Sequence, residues 1–102
     1  MKLEFYPEEK LKKEILNIIG KYFDLKKYKI FFFGSRVIGK NFPRSDIDIG
    51  IEGPMPLSAE IKFQIEEELE NLPTLYKFDL VDFNQVSKDF KKIAKKEVEY
   101  VK

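Results

Sequence analysis

After Pro7, apolar residues recur at helical spacing, Leu11, Ile15, Ile18, Ile19 and Tyr22. They predict an amphipathic helix and mark its buried face. Pro7 suits a helix start, and Glu8 and Glu9 suit its positive end. Lys10, Lys12 and Lys13 fall largely on the other side. After a polar connection from Asp24 to Lys27 the period changes. Ile30, Phe31, Phe32 and Phe33 run without alternation, which predicts a short strand covered on both faces and ended by Gly34 and Ser35. A short helical turn follows from Val37 to Lys40, terminated by Gly39, and then a loop from Asn41 to Ser45 containing Pro43. From Asp46 to Glu52 the pattern alternates cleanly. Ile47, Ile49 and Ile51 point one way and Asp46, Asp48 and Gly50 the other, as a strand with one apolar face requires.

The segment Gly53-Pro54-Met55-Pro56 breaks the chain. Ser58 is placed to cap a helix that turns Ile61, Ile65, Leu69 and Leu72 inward and most of its glutamates outward, and Pro73 stops it. Tyr76 to Phe83 predicts a third strand. Ser87 then predicts a last helix reaching toward Val101, with Phe90, Ile93, Ala94, Val98 and Val101 on one side and Lys88, Lys91, Lys92, Lys95 and Lys96 on a flank. Strands separated by helices imply a small sheet packed by helices, of the α/β or α+β class, in a single domain spanning residues 1–102. Strand order and direction stay open.

Composition narrows the chemistry. Hydrophobic residues make up 43% of the chain, with 10 Phe and 5 Tyr, enough for a packed core. No long uncharged apolar run or signal-peptide pattern is present, so a cytoplasmic protein without a membrane span is expected. Cysteine and histidine are both absent. That excludes disulfides, thiol nucleophiles and imidazole bases, and leaves acid–base or metal work to carboxylates, Lys, Tyr and hydroxyls. Oxygen donors favour a hard cation, Mg²⁺ or Mn²⁺, over zinc. The formal net charge of +1 gives no global pull toward nucleic acid.

Against that background Gly34-Ser35-Arg36-Val37-Ile38-Gly39 and Ser45-Asp46-Ile47-Asp48 stand out. A Gly-Ser turn directly after an apolar strand lets backbone approach a ligand and directs N–H groups at an anion. Either piece alone is common. Asp46 and Asp48 on one strand face lie roughly 6–7 Å apart at their bases, and repel unless a cation lies between them; the plain alternative is a solvated strand face. A third carboxylate is sought on the following strand. Asp79 and Asp82 are three residues apart and face opposite sides, so only one can join the pair. Asp79, mid-strand, is chosen; Asp82 reads as solvated or close to a helix start. Arg36 and Lys40 read as surface cations, with Arg36 preferred as a phosphate partner because it follows Ser35. Ser45 can cap the turn before Asp46. Three consecutive phenylalanines cannot share a face, so core packing explains them better than a base-stacking platform.

The joint pattern, Gly34-Ser35, Gly39, Ser45-Asp46-x-Asp48 and a later strand aspartate, resembles the nucleotidyltransferase superfamily typified by DNA polymerase β and kanamycin nucleotidyltransferase, and within it the minimal (MNT) branch. The resemblance covers roughly Phe31 to Phe83. It implies a polymerase-β palm-like core, Asp46, Asp48 and Asp79 holding two Mg²⁺ ions, and ATP held at Gly34, Ser35 and Arg36. It also implies in-line attack of an acceptor hydroxyl on the α-phosphorus, with Asp79 helping to remove the proton. Larger members add an acceptor-gripping domain; here the acceptor site is expected from a partner or a second copy of the chain. The minimal branch pairs with HEPN-domain toxins, which makes an antitoxin that transfers AMP to a toxin tyrosine the leading expectation. The alternatives are a non-catalytic module that neutralises a partner by occlusion, and a transferase acting on a small molecule or an RNA end.

Overall fold

The computed structural model describes residues 1–40 and 45–102. Of the loop expected over Asn41 to Ser45, residues 41–44 lie outside them. The elements run α1 (Glu8–Ile19), β1 (Lys29–Phe33), α2 (Ser35–Ile38), β2 (Ile47–Glu52), α3 (Ala59–Glu70), β3 (Phe78–Asp82), α4 (Lys88–Ala94) and β4 (Glu99–Tyr100). The sheet is mixed, in the order β3-β2-β1-β4. β1 is antiparallel to both β2 and β4, and β2 is parallel to β3.

The two faces of the sheet are unequal. On one, Ile30, Phe32, Ile47, Ile49, Ile51 and Leu80 pack with Leu11, Ile15, Ile18 and Ile19 of α1 and Ile65 and Leu69 of α3. Burying an aliphatic side chain of this size stabilises the fold by about 1.5–3 kcal/mol, so this layer is the main source of stability. On the other face Phe31, Phe33 and Phe83 form a smaller cluster with Val81, Val86, Ala94 and Val98. Phe83 meets Phe31 and Phe33 edge-on at centroid distances of 4.8 and 5.0 Å. The consecutive phenylalanines thus divide between the two cores. Gly50 is needed where this second core is tightest, since a Cβ there would lie 2.4 Å from Phe31 Cε2.

Local signals act as expected in the middle of the chain. Ser58 caps α3, its hydroxyl accepting from Ile61 N at 3.1 Å, and α3 ends before Pro73. Gly39 closes α2 in the left-handed conformation, φ 80°. That helix starts at Ser35, two residues earlier than the pattern suggests.

The carboxyl-terminal expectation is overturned. Ser87 does cap a helix, but α4 ends at Ala94 and residues 99–100 form β4 against β1. Its partner strand explains why. Without β4 one edge of β1 would expose its backbone groups, whereas Val101 N donates to Ile30 O at 2.8 Å, and unpaired backbone groups in a covered strand are costly. Val98 and Val101 therefore lie beyond the helix, and no residue of α4 is buried; Ile93 is 68% exposed. The lysine flank is divided as well, because Lys91 and Lys95 both pair with Glu52 of β2, Lys95 at 2.6 Å. Lys12 on α1 forms an ion pair with Glu99 at 3.4 Å, tying β4 to the first helix. No helix among the described residues is long and apolar enough to cross a membrane.

Candidate functional site

The site lies where β1 ends beside β2 on the less covered face. The antiparallel register places Phe33 opposite Asp48, so the turn after β1 lies against that carboxylate. Gly34 has φ 81°, a conformation that side chains other than glycine's rarely adopt. A Cβ on Gly34 would come within 2.1 Å of Asp48 Oδ2. Glycine is therefore required twice, by backbone angle and by contact. Ser35 follows as the first residue of α2, and Val37 N and Ile38 N donate back to Gly34 O.

The parallel register of β2 with β3 sets Asp48 level with Asp79, so the two side chains project from the same face. Asp46 stands just before β2, exposed. Asp48 is half-buried, and its carboxyl is pushed up to about 6 by burial first, then by the negative fields of Asp79 and Asp46, with Arg36 opposing. Asp46, Asp48 and Asp79 therefore share one electrostatic neighbourhood. Among the described residues no three acidic side chains are already gathered to metal-ligand distances. The donor set is carboxylate oxygen throughout, and Asp48 is short of positive charge. Both observations suit a hard divalent cation.

Asp82 is on the opposite face and is not solvated. It is 7% exposed, and its carboxylate accepts from Leu57 N at 2.7 Å and Asn84 N at 2.9 Å. It ties the end of β3 to the residue before the Ser58 cap, so the expected nearness to a helix start is met while the solvated reading is corrected. Backbone donors from the connection between β2 and α3, Leu57 N, and from the turn after β3, Asn84 N, draw this carboxylate inward.

Arg36 is not a surface cation either. It is 5% exposed. Its Nε donates to Ser45 O at 2.8 Å, and its guanidinium carbon lies 4.7 Å from the centre of the Tyr76 ring. Ser45 thus enters the site through its carbonyl. Lys40, by contrast, is exposed. Tyr76 was not singled out by pattern. Nothing along the chain links an aromatic just ahead of β3 to an arginine behind β1; only the fold brings them together. An open groove of about 1110 Å³ lies beside Asp46, lined by Phe5, Leu72, Leu75 and Tyr76 among others.

A family model described as polymerase beta, nucleotidyltransferase matches residues 13–101. The chain belongs to this family. Among individual relatives, the probable protein adenylyltransferase MntA of Haemophilus influenzae is 33% identical over 69 residues, which are 68% of this chain and 60% of that protein. The chain thus spans less than two thirds of the relative's length. Three solved structures share the nucleotidyltransferase fold. A toxin–antitoxin crystal structure with AMP-PNP superposes with a TM-score of 0.73 at 21% identity, covering 89% of this chain and 72% of that one. An MntA–HpeT toxin–antitoxin variant, with two aspartates two positions apart changed to glutamate, gives 0.71 at 18% identity, with coverages of 89% and 72%. A tri-AMPylated Shewanella oneidensis HEPN toxin in complex with its MNT antitoxin gives 0.69 at 19% identity, with coverages of 92% and 71%.

Proposed function

We propose that residues 1–102 act as one catalytic unit that transfers AMP from ATP to a hydroxyl of a partner protein, a tyrosine of a HEPN-domain toxin, and so serve as the antitoxin of a pair. The observation that carries this reading is the alignment of Asp48 with Asp79 across β2 and β3, with Asp46 two residues before and the Gly34 turn against Asp48. The relative named for protein adenylylation and the folds found in toxin–antitoxin complexes support the choice of reaction and partner. The aspartates changed in the MntA–HpeT variant have the spacing of Asp46 and Asp48.

In this reading Asp46, Asp48 and Asp79 hold Mg²⁺, as two ions, with Mn²⁺ able to substitute. The metal, when bound, neutralises charge on the triphosphate and on the attacking oxygen. Gly34 and Ser35 hold the β- and γ-phosphates through the close backbone approach that a glycine permits. Arg36 adds positive charge close enough to act on Asp48. Asp79, the more exposed of the aligned pair, helps remove the proton from the acceptor hydroxyl. The oxygen then attacks the α-phosphorus in line, the bond to the β-phosphate oxygen breaks, and pyrophosphate leaves. Positioning and charge neutralisation suffice for such chemistry, which fits a chain without His or Cys. A cytoplasmic setting, where ATP is abundant, is part of the proposal.

The test is incubation of the chain with ATP, Mg²⁺ and a cognate HEPN partner, read by intact mass and pyrophosphate release. An AMP adduct is expected, and Asp46→Asn with Asp48→Asn should abolish it without altering the circular dichroism spectrum. Adduct formation by that double variant would refute the catalytic assignment. Full neutralisation of the partner by the folded, inactive variant would instead establish occlusion. Radiolabelled ATP supplied with cell extract separates protein, RNA and small-molecule acceptors by the size of the labelled product.

A further inference from the structure

Asp46 is exposed at its side chain, yet its backbone is held on both sides. Ahead of it, Ser45 O accepts from Arg36 Nε at 2.8 Å. Behind it, Ile47 N donates to Lys77 O at 2.8 Å. Both anchors lead to the same place. Arg36 packs its guanidinium over the Tyr76 ring, and Tyr76 is the chain neighbour of Lys77. Tyr76 has a further attachment: its hydroxyl accepts from Glu4 N and Phe5 N, each at 3.1 Å, and the Phe5 ring lies 6.3 Å from its own. A buried guanidinium is costly unless it is held by hydrogen bonds or an aromatic face. Here the Ser45 carbonyl and the Tyr76 ring both lead to the backbone around Asp46.

We propose that Arg36 and Tyr76 are positioning residues: Arg36, seated on Tyr76, fixes the Ser45 carbonyl and hence the place of Asp46, and the Tyr76 hydroxyl joins the amino-terminal arm to the same clamp. Arg36 then serves the site by holding backbone. The arm bearing Phe5 forms one wall of the groove beside Asp46, so the clamp also sets where that wall stands. The consequence for turnover rests on the transferase reading; the placement of Asp46 does not.

Two readouts keep these apart. The first is amide hydrogen exchange of the full chain without nucleotide, comparing wild type with Arg36→Met, Tyr76→Leu and Tyr76→Phe. Arg36→Met and Tyr76→Leu should speed exchange at Ile47, whose N–H donates to Lys77 O, about tenfold or more, as expected when a local opening loses its restraint, and leave Phe32 in β1 unchanged. Tyr76→Phe keeps the ring under Arg36 and loses only the hydroxyl, so it should release Glu4 and Phe5 while Ile47 stays protected. The second readout is steady-state transfer. Arg36→Met should lower kcat roughly 10–100-fold, the size of effect that small misplacement produces, with KM for ATP within about twofold. Unchanged exchange at Ile47 in both Arg36→Met and Tyr76→Leu overturns the proposal. So does a rise in KM at constant kcat, which would make Arg36 a phosphate ligand. If Arg36→Met does not fold, Tyr76→Leu reads the same clamp. If wild type transfers nothing, the exchange result still decides the placement of Asp46 while the transferase reading falls.

Discussion

Asp48→Asn should make the metal-free protein more stable while removing its chemistry. The carboxyl of Asp48 is raised from an ordinary 3.8 to about 6 by burial and by Asp79 and Asp46. Its charged form is therefore disfavoured in the folded chain relative to the unfolded one. The folded state binds the proton more tightly, so the penalty is fully present above about pH 6 and disappears as pH falls toward 3.8. A shift of roughly two units corresponds to about 3 kcal/mol. Asp48 is only half-buried, and solvent screening reduces that to roughly 1–2 kcal/mol. An asparagine keeps the shape against Gly34 and loses the charge. For a domain of this size the gain corresponds to a melting temperature higher by roughly 5–10 °C. Thermal melts in chelator at pH 8 should show this difference, and melts at pH 4.5 should show most of it gone. Adding Mg²⁺ at pH 8 should stabilise wild type and leave the variant unmoved, because bound ligand adds stability only where it has a site. A variant no more stable than wild type at pH 8, or an advantage independent of pH, would refute the account of Asp48 as a strained carboxylate awaiting a cation.

Two further substitutions probe the frame around the site. Gly34→Ala must place a methyl group on Asp48 at a positive φ, a strain of about 1–3 kcal/mol; adduct formation should fall about 100-fold or more, and transfer at the wild-type rate would show that the turn does not approach the nucleotide. Asp82→Ala leaves two backbone donors without their acceptor; urea unfolding should show a loss of about 2–4 kcal/mol, and Asp82→Asn, which keeps an oxygen, should lose less.

Where local chemistry decides structure, the chain was legible. The alternation from Ile47 to Ile51, the Ser58 cap and the left-handed glycine at position 39 depend on neighbours in sequence, and the structure follows them. The carboxyl terminus was not legible, because Val98 to Val101 fit a helical face as well as a strand, and the choice was made by the open edge of β1. The same holds in the site. Asp46, Asp48 and the Gly34 turn lie close along the chain, and the two-residue period of a strand lets only one of Asp79 and Asp82 join them, the choice of Asp79 resting on its place in mid-strand. Arg36 and Asp82 were misread because a charged residue is assigned to solvent unless its partners are known. Those partners, Tyr76 and Ser45 O for one, Leu57 N and Asn84 N for the other, are set by folding.

Asp82 has a consequence at a distance. A slip of one residue between β2 and β3 would turn Asp79 to the wrong side of the sheet. Phe83 N bonds Ile51 O at 2.9 Å, and Asp82 locks the same strand ends to Leu57, about 10 Å along the strand from the aligned aspartates. The two halves of the proposed centre are thus calibrated from the far end of the ladder, like a vernier read at its last mark. The Gly53–Pro56 bridge can therefore vary only so far as that mark stays in line.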